Sequence, residues 1–297
     1  MSTRNQGTIL LTGVNGQVGF ELARSLQGLG RVVALDRSRL DLDDLDQVRR
    51  VVRELKPSLI VNPAAYTAVD KAETEKDEAF RINGEAPGYL ATACRAIGAQ
   101  LIHLSTDYVF AGDSETPLKE TDPTGPINVY GASKLDGERK ALGQYPEGTM
   151  IIRTSWVYSE FGGNFVKTMM RLMKEKPAIN VVEDQIGSPT YAADLAAAIL
   201  HILSGPRFIP GIYHYSNEGR ISWYQFALAI RELIQSPCIV NPIPTSDFPT
   251  PAKRPHYSLL DKSHIRDTYG LAIPNWHTGL ATCVGKLINI DQSPINK

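Results

Sequence analysis

Short β-branched runs alternate with longer helical patterns through the first half of the sequence, and few folds accept that alternation. Residues 8–12 (TILLT), 31–35 (RVVAL), 58–62 (SLIVN), 100–105 (QLIHLS) and 149–154 (TMIIRT) read as strands. Between them, residues 17–29, 42–55 and 78–97 carry apolar side chains at helical spacing. Strand and helix repeating at this interval imply parallel strands joined by right-handed crossovers. The strands are apolar almost throughout, as a sheet covered on both faces requires. The expected fold class is therefore α/β, a doubly wound parallel sheet. The second half is less regular. Helices are expected over 163–174, 191–203, 222–233 (with Ser222 as N-cap) and 276–290, and strands over 180–182 and 211–215. The proline-rich stretch 236–255 is expected to be an extended loop.

Directly after the first strand comes Gly13-Val14-Asn15-Gly16-Gln17-Val18-Gly19, opening a helix near Gln17. A turn this tight lets backbone amides approach a pyrophosphate, and the positive end of the helix favours the anion. The spacing is GxxGxxG rather than GxGxxG. Its place between strand and helix makes it a nucleotide-binding signal rather than a helix start alone. Asp36 ends the second strand, where an acid accepts hydrogen bonds from the adenosine ribose and disfavours a 2′-phosphate. Arg37 beside it would neutralise such a phosphate, and Asp36 could equally be a turn residue. The preference between NADH and NADPH stays open at this level.

Tyr130 and Lys134 (YGASK) lie four residues apart, on one face of a helix and within about 6 Å. An ammonium there lowers a phenol from about 10 toward neutrality and makes it a usable general acid. The fourth strand ends at Ser105-Thr106-Asp107-Tyr108, where a hydroxyl can orient a carbonyl at the sheet's carboxyl edge.

Composition removes several other classes. With 31 basic and 32 acidic residues, the net charge of −1 offers no general grip on nucleic acid. No apolar run approaches the roughly 18 residues of a membrane span. Residues 1–7 are polar, without an apolar signal core, which points to the cytoplasm. Cys94, Cys238 and Cys283 form no CxxC pair, the six histidines lack ligand-like spacing, and no metal site is expected.

Together the glycine turn and YxxxK resemble the Rossmann-type extended short-chain dehydrogenase/reductases. A closer resemblance is to the dTDP-4-dehydrorhamnose reductase family. It is carried by residues 62–73 (NPAAYTAVDKAE), 105–110 (STDYVF), 128–134 (NVYGASK), 153–158 (RTSWVY), 164–169 (NFVKTM), 184–190 (DQIGSPT) and 249–255 (PTPAKRP). The resemblance implies NAD(P)H-dependent reduction of the C4 keto group of dTDP-4-dehydro-L-rhamnose. Thr106 would orient the carbonyl, Tyr130 donate the proton, and Lys134 hold the cofactor ribose. Asp107, Tyr108 and Trp156 would contact the substrate, and Arg254 its diphosphate. Asn62, Ala64, Ala65 and Tyr66 would flank the adenosine and ribose. Pro63 stands where the family usually has alanine. Asp70, Lys71 and Glu73 are expected to form a structural ion-pair cluster.

The resemblance also implies two interleaved domains. Residues 1–155, with about 178–204, would bind the dinucleotide; a smaller α/β domain within 156–297, mainly about 156–177 and 207–297, would bind substrate. Some relatives dimerise through glutamates sharing magnesium. Glu21 matches one of these, but Ala193 stands at another and no glutamate follows Glu232, so neither that metal nor that dimer is carried over. A homodimer of another kind stays open. Two rivals remain: another sugar-nucleotide reductase, dehydratase or epimerase, and a catalytically silent regulatory subunit of the same fold. Against a dehydratase, Tyr108 stands where those enzymes carry a second carboxylate.

Overall fold

The computed structural model describes residues 7–292. The polar segment read above as lacking a signal core lies outside them, apart from Gly7. Six strands form one parallel sheet: β1 (Thr8–Leu11), β2 (Arg31–Ala34), β3 (Leu59–Asn62), β4 (Gln100–Thr106), β5 (Thr149–Thr154) and β10 (Gly211–His214). Their order in space is β2-β1-β3-β4-β5-β10, so the chain reverses direction across the sheet between β1 and β3. Ligands of open α/β sheets bind outside the carboxyl ends at such a reversal.

Alternation along each strand sends neighbouring residues to opposite layers. Ile9 and Leu11 pack with Val18 and Leu22 of α1 (Gln17–Ser25) and Leu195 and Ile199 of α8 (Ala192–Ser204). Leu10 faces the other layer, with Val48 and Val52 of α2 (Leu45–Leu55), Leu90 and Cys94 of α5 (Ala86–Ile97) and Ala141 of α6 (Val129–Gln144). Both faces are covered, which explains the unbroken apolar strands. Each such leucine or isoleucine contributes about 1.5–3 kcal/mol by its burial.

The helix expected over 78–97 is divided. After α3 (Val69–Ala72) come α4 (Lys76–Phe80), one π turn over Arg81–Glu85, and then α5. Pro87 has no amide to give the Asn83 carbonyl, so the regular ladder cannot run through. The side chain of Asn83 bonds the backbone of Tyr66 and the Ser133 hydroxyl instead.

A second core lies among α7 (Phe165–Glu175), α9 (Trp223–Leu233) and α11 (Trp276–Gln292), with Val166, Met169, Phe226, Ile230, Leu280 and Cys283 buried. Against it run β7 (Ala178–Val182) and β12 (Ile239–Ile243), paired in parallel. The proline-rich stretch is thus not wholly loop. Both strands of a two-stranded sheet are edges, where a proline such as Pro242 is tolerated. Short pairs β6 (Val157–Tyr158) with β9 (Thr190–Tyr191), and β8 (Ile186–Gly187) with β11 (Ile221–Ser222), tie the two cores together. Ser222 caps α9 through a reciprocal capping box with Gln225, and α10 (Ser263–Tyr269) lies beyond. Relative to the interleaving expected from sequence, α8 and β10 pack with the main sheet, whereas β7 packs with the second core.

Candidate active site

A cleft of about 650 Å³ opens at the carboxyl ends of the central strands. Its lining contains Gly13, Asn15, Gly16, Gln17, Val18, Gly19, Asp36, Arg37, Ala64, Ala65, Tyr66, Tyr130 and Lys134. Of the residues expected around the cofactor, all but Asn62 therefore border one space. Gly13 has φ +59°, and a Cβ there would lie 2.8 Å from the Ala64 backbone. A Cβ on Gly19 would strike the Gly13 carbonyl. No side chain caps the first turn of α1, whose N-cap is Gly16, and no acid lies in it. Free amides and the positive helix end, in a cradle that a side chain would fill, fit the diphosphate of a dinucleotide.

Asp36 is a turn residue at the edge of the cleft. It borders the cleft, and it also accepts hydrogen bonds from the Ser38 hydroxyl (2.7 Å) and the Arg39 amide (3.2 Å). The Ser38 bond, foremost, holds its carboxyl below the usual range. Arg37 pairs with Asp41 and Glu78 at 3.4 and 3.3 Å. Asn62 departs from expectation. It is fully buried and turned inward, accepting from Thr12 (2.5 Å) and meeting the His103 ring at 3.0 Å, so it does not flank the adenosine side of the cleft.

Tyr130 sits in the first turn of α6, and that turn is held from outside. Asn128 accepts from the Gly131 amide (2.7 Å) and donates to the Lys253 carbonyl (2.8 Å). Glu73 accepts from the Val129 amide at 2.9 Å. Glu73 is thus a helix cap rather than part of an ion-pair cluster. Asp70 holds Arg254 through two bonds of 2.6 and 2.9 Å. Arg254, expected on a diphosphate, is only one-fifth exposed, bonded also to the Ala252 carbonyl, and lies beside Tyr108.

At the phenol, the expected neutral-range pKa is not found. Burial pushes Tyr130 up to about 12; the nearby Thr106 hydroxyl lowers it, and Asp107 raises it. The Lys134 ammonium points to the Leu104 carbonyl (2.6 Å) and the His103 ring (3.3 Å). The phenol is therefore kept protonated, the form a proton donor needs. Burial brings Lys134 down to about 8, opposed by the charge of Glu138.

Thr106 donates to Asp107 at 3.0 Å and accepts from the Tyr108 amide. Burial raises Asp107 to about 6, with the Ser258 and Thr106 hydroxyls opposing. Its second carboxyl oxygen is buried without a partner. The Tyr108 and Tyr130 rings meet edge to face, centroids 5.7 Å apart. Trp156 adopts φ +50° and stacks on Trp223, centroids 3.7 Å apart and planes 12° from parallel. A Cβ on Gly187 would meet both the Trp156 ring and the Ser258 hydroxyl, so these groups converge on one small residue. A buried acceptor and an aromatic shelf beside a phenol and hydroxyl can hold a polar, ring-shaped substrate over a carbonyl-reducing site.

Sequence reasoning missed His103, Ser258 and Trp223, and did not foresee that Glu73 and Asn128 hold the start of α6. Asn128 carried a legible signal, a capping residue three before Gly131. Glu73, His103, Ser258 and Trp223 act across 31 or more positions, and no local pattern marks them.

Among the described residues, no group of three or more His, Cys, Asp or Glu is placed to hold a metal. Glu21 is buried, its carboxyl raised by desolvation and by Glu160. The Lys286 ammonium, 2.8 Å from Glu160, supplies positive charge there, and this set does not fit a shared magnesium.

Comparison with known proteins agrees with this geometry. The model of the RmlD substrate binding domain family matches residues 7–289. The dTDP-4-dehydrorhamnose reductase of Burkholderia thailandensis is 43% identical, over 95% of this chain and 99% of that protein. The crystal structure of the Bacillus anthracis dTDP-4-dehydrorhamnose reductase in complex with NADP is 40% identical, covers 94% of this chain and 99% of its own, and superimposes with a TM-score of 0.90. A Thermus thermophilus UDP-glucose 4-epimerase complexed with NAD, 22% identical, shares the fold with a TM-score of 0.81 over 95% of this chain and 99% of its own. The chain belongs to the RmlD substrate binding domain family, that of the dTDP-4-dehydrorhamnose reductases.

Proposed function

We propose that this protein reduces the C4 keto group of dTDP-4-dehydro-L-rhamnose to give dTDP-L-rhamnose, using NADPH or NADH. The observation that carries the reading is a protonated Tyr130 phenol beside the Thr106 hydroxyl, at the end of a cleft whose glycine turn fits a dinucleotide. A bound nicotinamide supplies the hydride. In this reading Thr106 hydrogen-bonds the keto oxygen, and Tyr130 delivers its proton to that oxygen as the negative charge develops. Lys134 binds the ribose and stabilises the resulting phenolate. Asp107 and Tyr108 bind sugar hydroxyls, and Trp156, backed by Trp223, packs on the apolar face of the ring. Arg254 reaches the diphosphate only by sharing its guanidinium with Asp70.

The same reading divides the chain into two interleaved units. The dinucleotide unit holds the six-stranded sheet and α8, and the substrate unit is built on the core of α7, α9 and α11. A homodimer is the assembly to check, by sedimentation, since no shared metal is invoked.

The test follows nicotinamide absorbance with freshly epimerised dTDP-4-keto-6-deoxy-L-sugar, wild type beside Tyr130→Phe. Signal loss in the wild type, reduced by ~10²–10⁴-fold in the variant, is expected for a general acid. No consumption with either cofactor, despite cofactor binding, would overturn the reductase reading in favour of a silent regulatory subunit.

A further inference from the structure

Beneath the cleft, a row of buried polar side chains crosses the sheet at right angles to the strands. Thr12, just past β1, is followed by Asn62 on β3 and His103 on β4, and the row ends at Lys134 on α6. β1, β3 and β4 are adjacent, and Asn62 is the register partner of His103. All four residues are at most 2% exposed. Such a row is costly to bury unless each donor meets an acceptor. Its proton count is therefore restrictive.

Lys134 as an ammonium has three donors and no acceptor. One proton goes to the Leu104 carbonyl at 2.6 Å, and His103 Nε2 lies 3.3 Å away. A neutral imidazole has one N–H and one lone pair, and burial together with the Lys134 charge keeps His103 far below its ordinary titration range. Nε2 can accept from Lys134 only when the ring proton is on Nδ1. The Nδ1 proton then needs an acceptor; as placed, Asn62 turns its NH₂ to Nδ1 and its oxygen to the Thr12 hydroxyl, and turning the near-isosteric amide over gives Nδ1–H that oxygen and leaves the NH₂ to donate to Thr12. The orientation with the oxygen on Thr12 donates to Nδ1, puts the ring proton on Nε2, and leaves two donors facing each other at Lys134. Only one of the two orientations is compatible with a charged lysine.

We infer that Asn62 fixes His103 as the Nδ1–H tautomer, so that Nε2 accepts from Lys134 and makes His103 a positioning residue for the ammonium. Two of the lysine's protons are then committed to the floor of the site, and the third is left for the cleft that Lys134 borders. The bond also favours the charged form against burial. The acidic groups about this helix are engaged elsewhere. Glu138 is tied to Arg153 of β5, Glu85 and Asp136 to Lys140, and Glu73 to the Val129 amide. Asp107 and Tyr108 flank Tyr130. Glu138 alone offers an opposing charge to Lys134, and it is shared with Arg153.

The kinetic arm of the test rests on the reductase reading; the spectroscopic arm does not. In ¹⁵N-histidine-labelled wild type, long-range proton–nitrogen spectra are expected to show one of the six histidines, absent from His103→Gln, as a fixed Nδ1–H tautomer from pH 6 to 9. An Nε2–H tautomer, or a mixture of the two, would overturn the inference whether or not the protein reduces sugars. In the pH profile of turnover, His103→Phe should move the alkaline fall to lower pH by about one unit. His103→Gln keeps an acceptor toward Lys134 and should restore most of the wild-type profile. Coincident profiles for wild type and a folded His103→Phe would equally refute the role. Should His103→Phe not fold, Asn62→Leu removes the tautomer lock and is expected to give the same alkaline shift, an unchanged profile again refuting it.

Discussion

The N-termini of α1 and α6 face the same cleft and are built in opposite ways. That of α1 has a glycine N-cap, no side-chain cap and no acid in its first turn. That of α6 is capped by Asn128, with Glu73 on the Val129 amide and the 253 carbonyl on Asn128. A helix start leaves several amides without partners. At α1 no side chain takes them, which is what the proposed diphosphate would require. At α6 they are consumed by the protein, and the gain is a fixed Tyr130. An open helix end binds; a closed one aims.

The strongest way to break this contrast is to fill the open end. Gly13→Ala places a side chain at φ +59° and within 2.8 Å of the Ala64 backbone. The left-handed conformation alone costs about 1–2 kcal/mol. Cofactor affinity by calorimetry should fall by at least ~tenfold. Unchanged affinity would mean that the turn does not receive the diphosphate.

A second test uses pH. Lys134 titrates at about 8 in the folded protein, against 10.5 when free of the fold. Its folded value is depressed, so between these limits the unfolded chain binds more protons and stability rises with pH. Activity should do the reverse, falling past pH 8 as the ammonium is lost. Asp107, raised to about 6 from 3.8, acts oppositely, and stability falls as pH rises through that interval. Asp107→Asn should therefore raise the melting temperature at pH 7 while lowering turnover. A variant both less stable and equally active would contradict the assignment of Asp107 to substrate.

The contrast also explains what was legible in the residues. The open end is local: GxxGxxG after an apolar strand specifies its own turn, and the residues of that turn border the cleft. The YxxxK pair is local too, and its helix face came out as expected. What stayed hidden arrives from elsewhere in the chain. Glu73 reaches the Val129 amide across 56 positions and Asp70 reaches Arg254 across 184. Pairwise charge alone suggested a cluster of Asp70, Lys71 and Glu73, because spacing cannot tell which partner the fold will deliver. The tyrosine pKa was misjudged for the same reason. Burial, a property of the whole fold, outweighs a lysine whose protons point elsewhere.

Opening the closed end should give the complementary result. Asn128→Ala removes the N-cap of α6 and its tie to residue 253, a loss of about 1 kcal/mol. Turnover should drop while cofactor affinity stays within about twofold. Equal losses in both would show that the two helix starts are not independent.

Glu73→Gln is the smallest perturbation and the sharpest. The amide keeps an oxygen for the Val129 N–H at 2.9 Å, so geometry is preserved and only the charge at the helix start is lost. A carboxylate near a helix N-terminus is worth about 0.3–1 kcal/mol, screened by salt. Stability should fall by that amount in low salt and converge on wild type in 1 M salt. Turnover should hardly change, because Tyr130 is still aimed. A large loss of turnover would instead mean that the charge of Glu73, rather than its cap, acts on the chemistry. The closed end would then be electrostatic in function, and its contrast with α1 would lie in the sign of the local field.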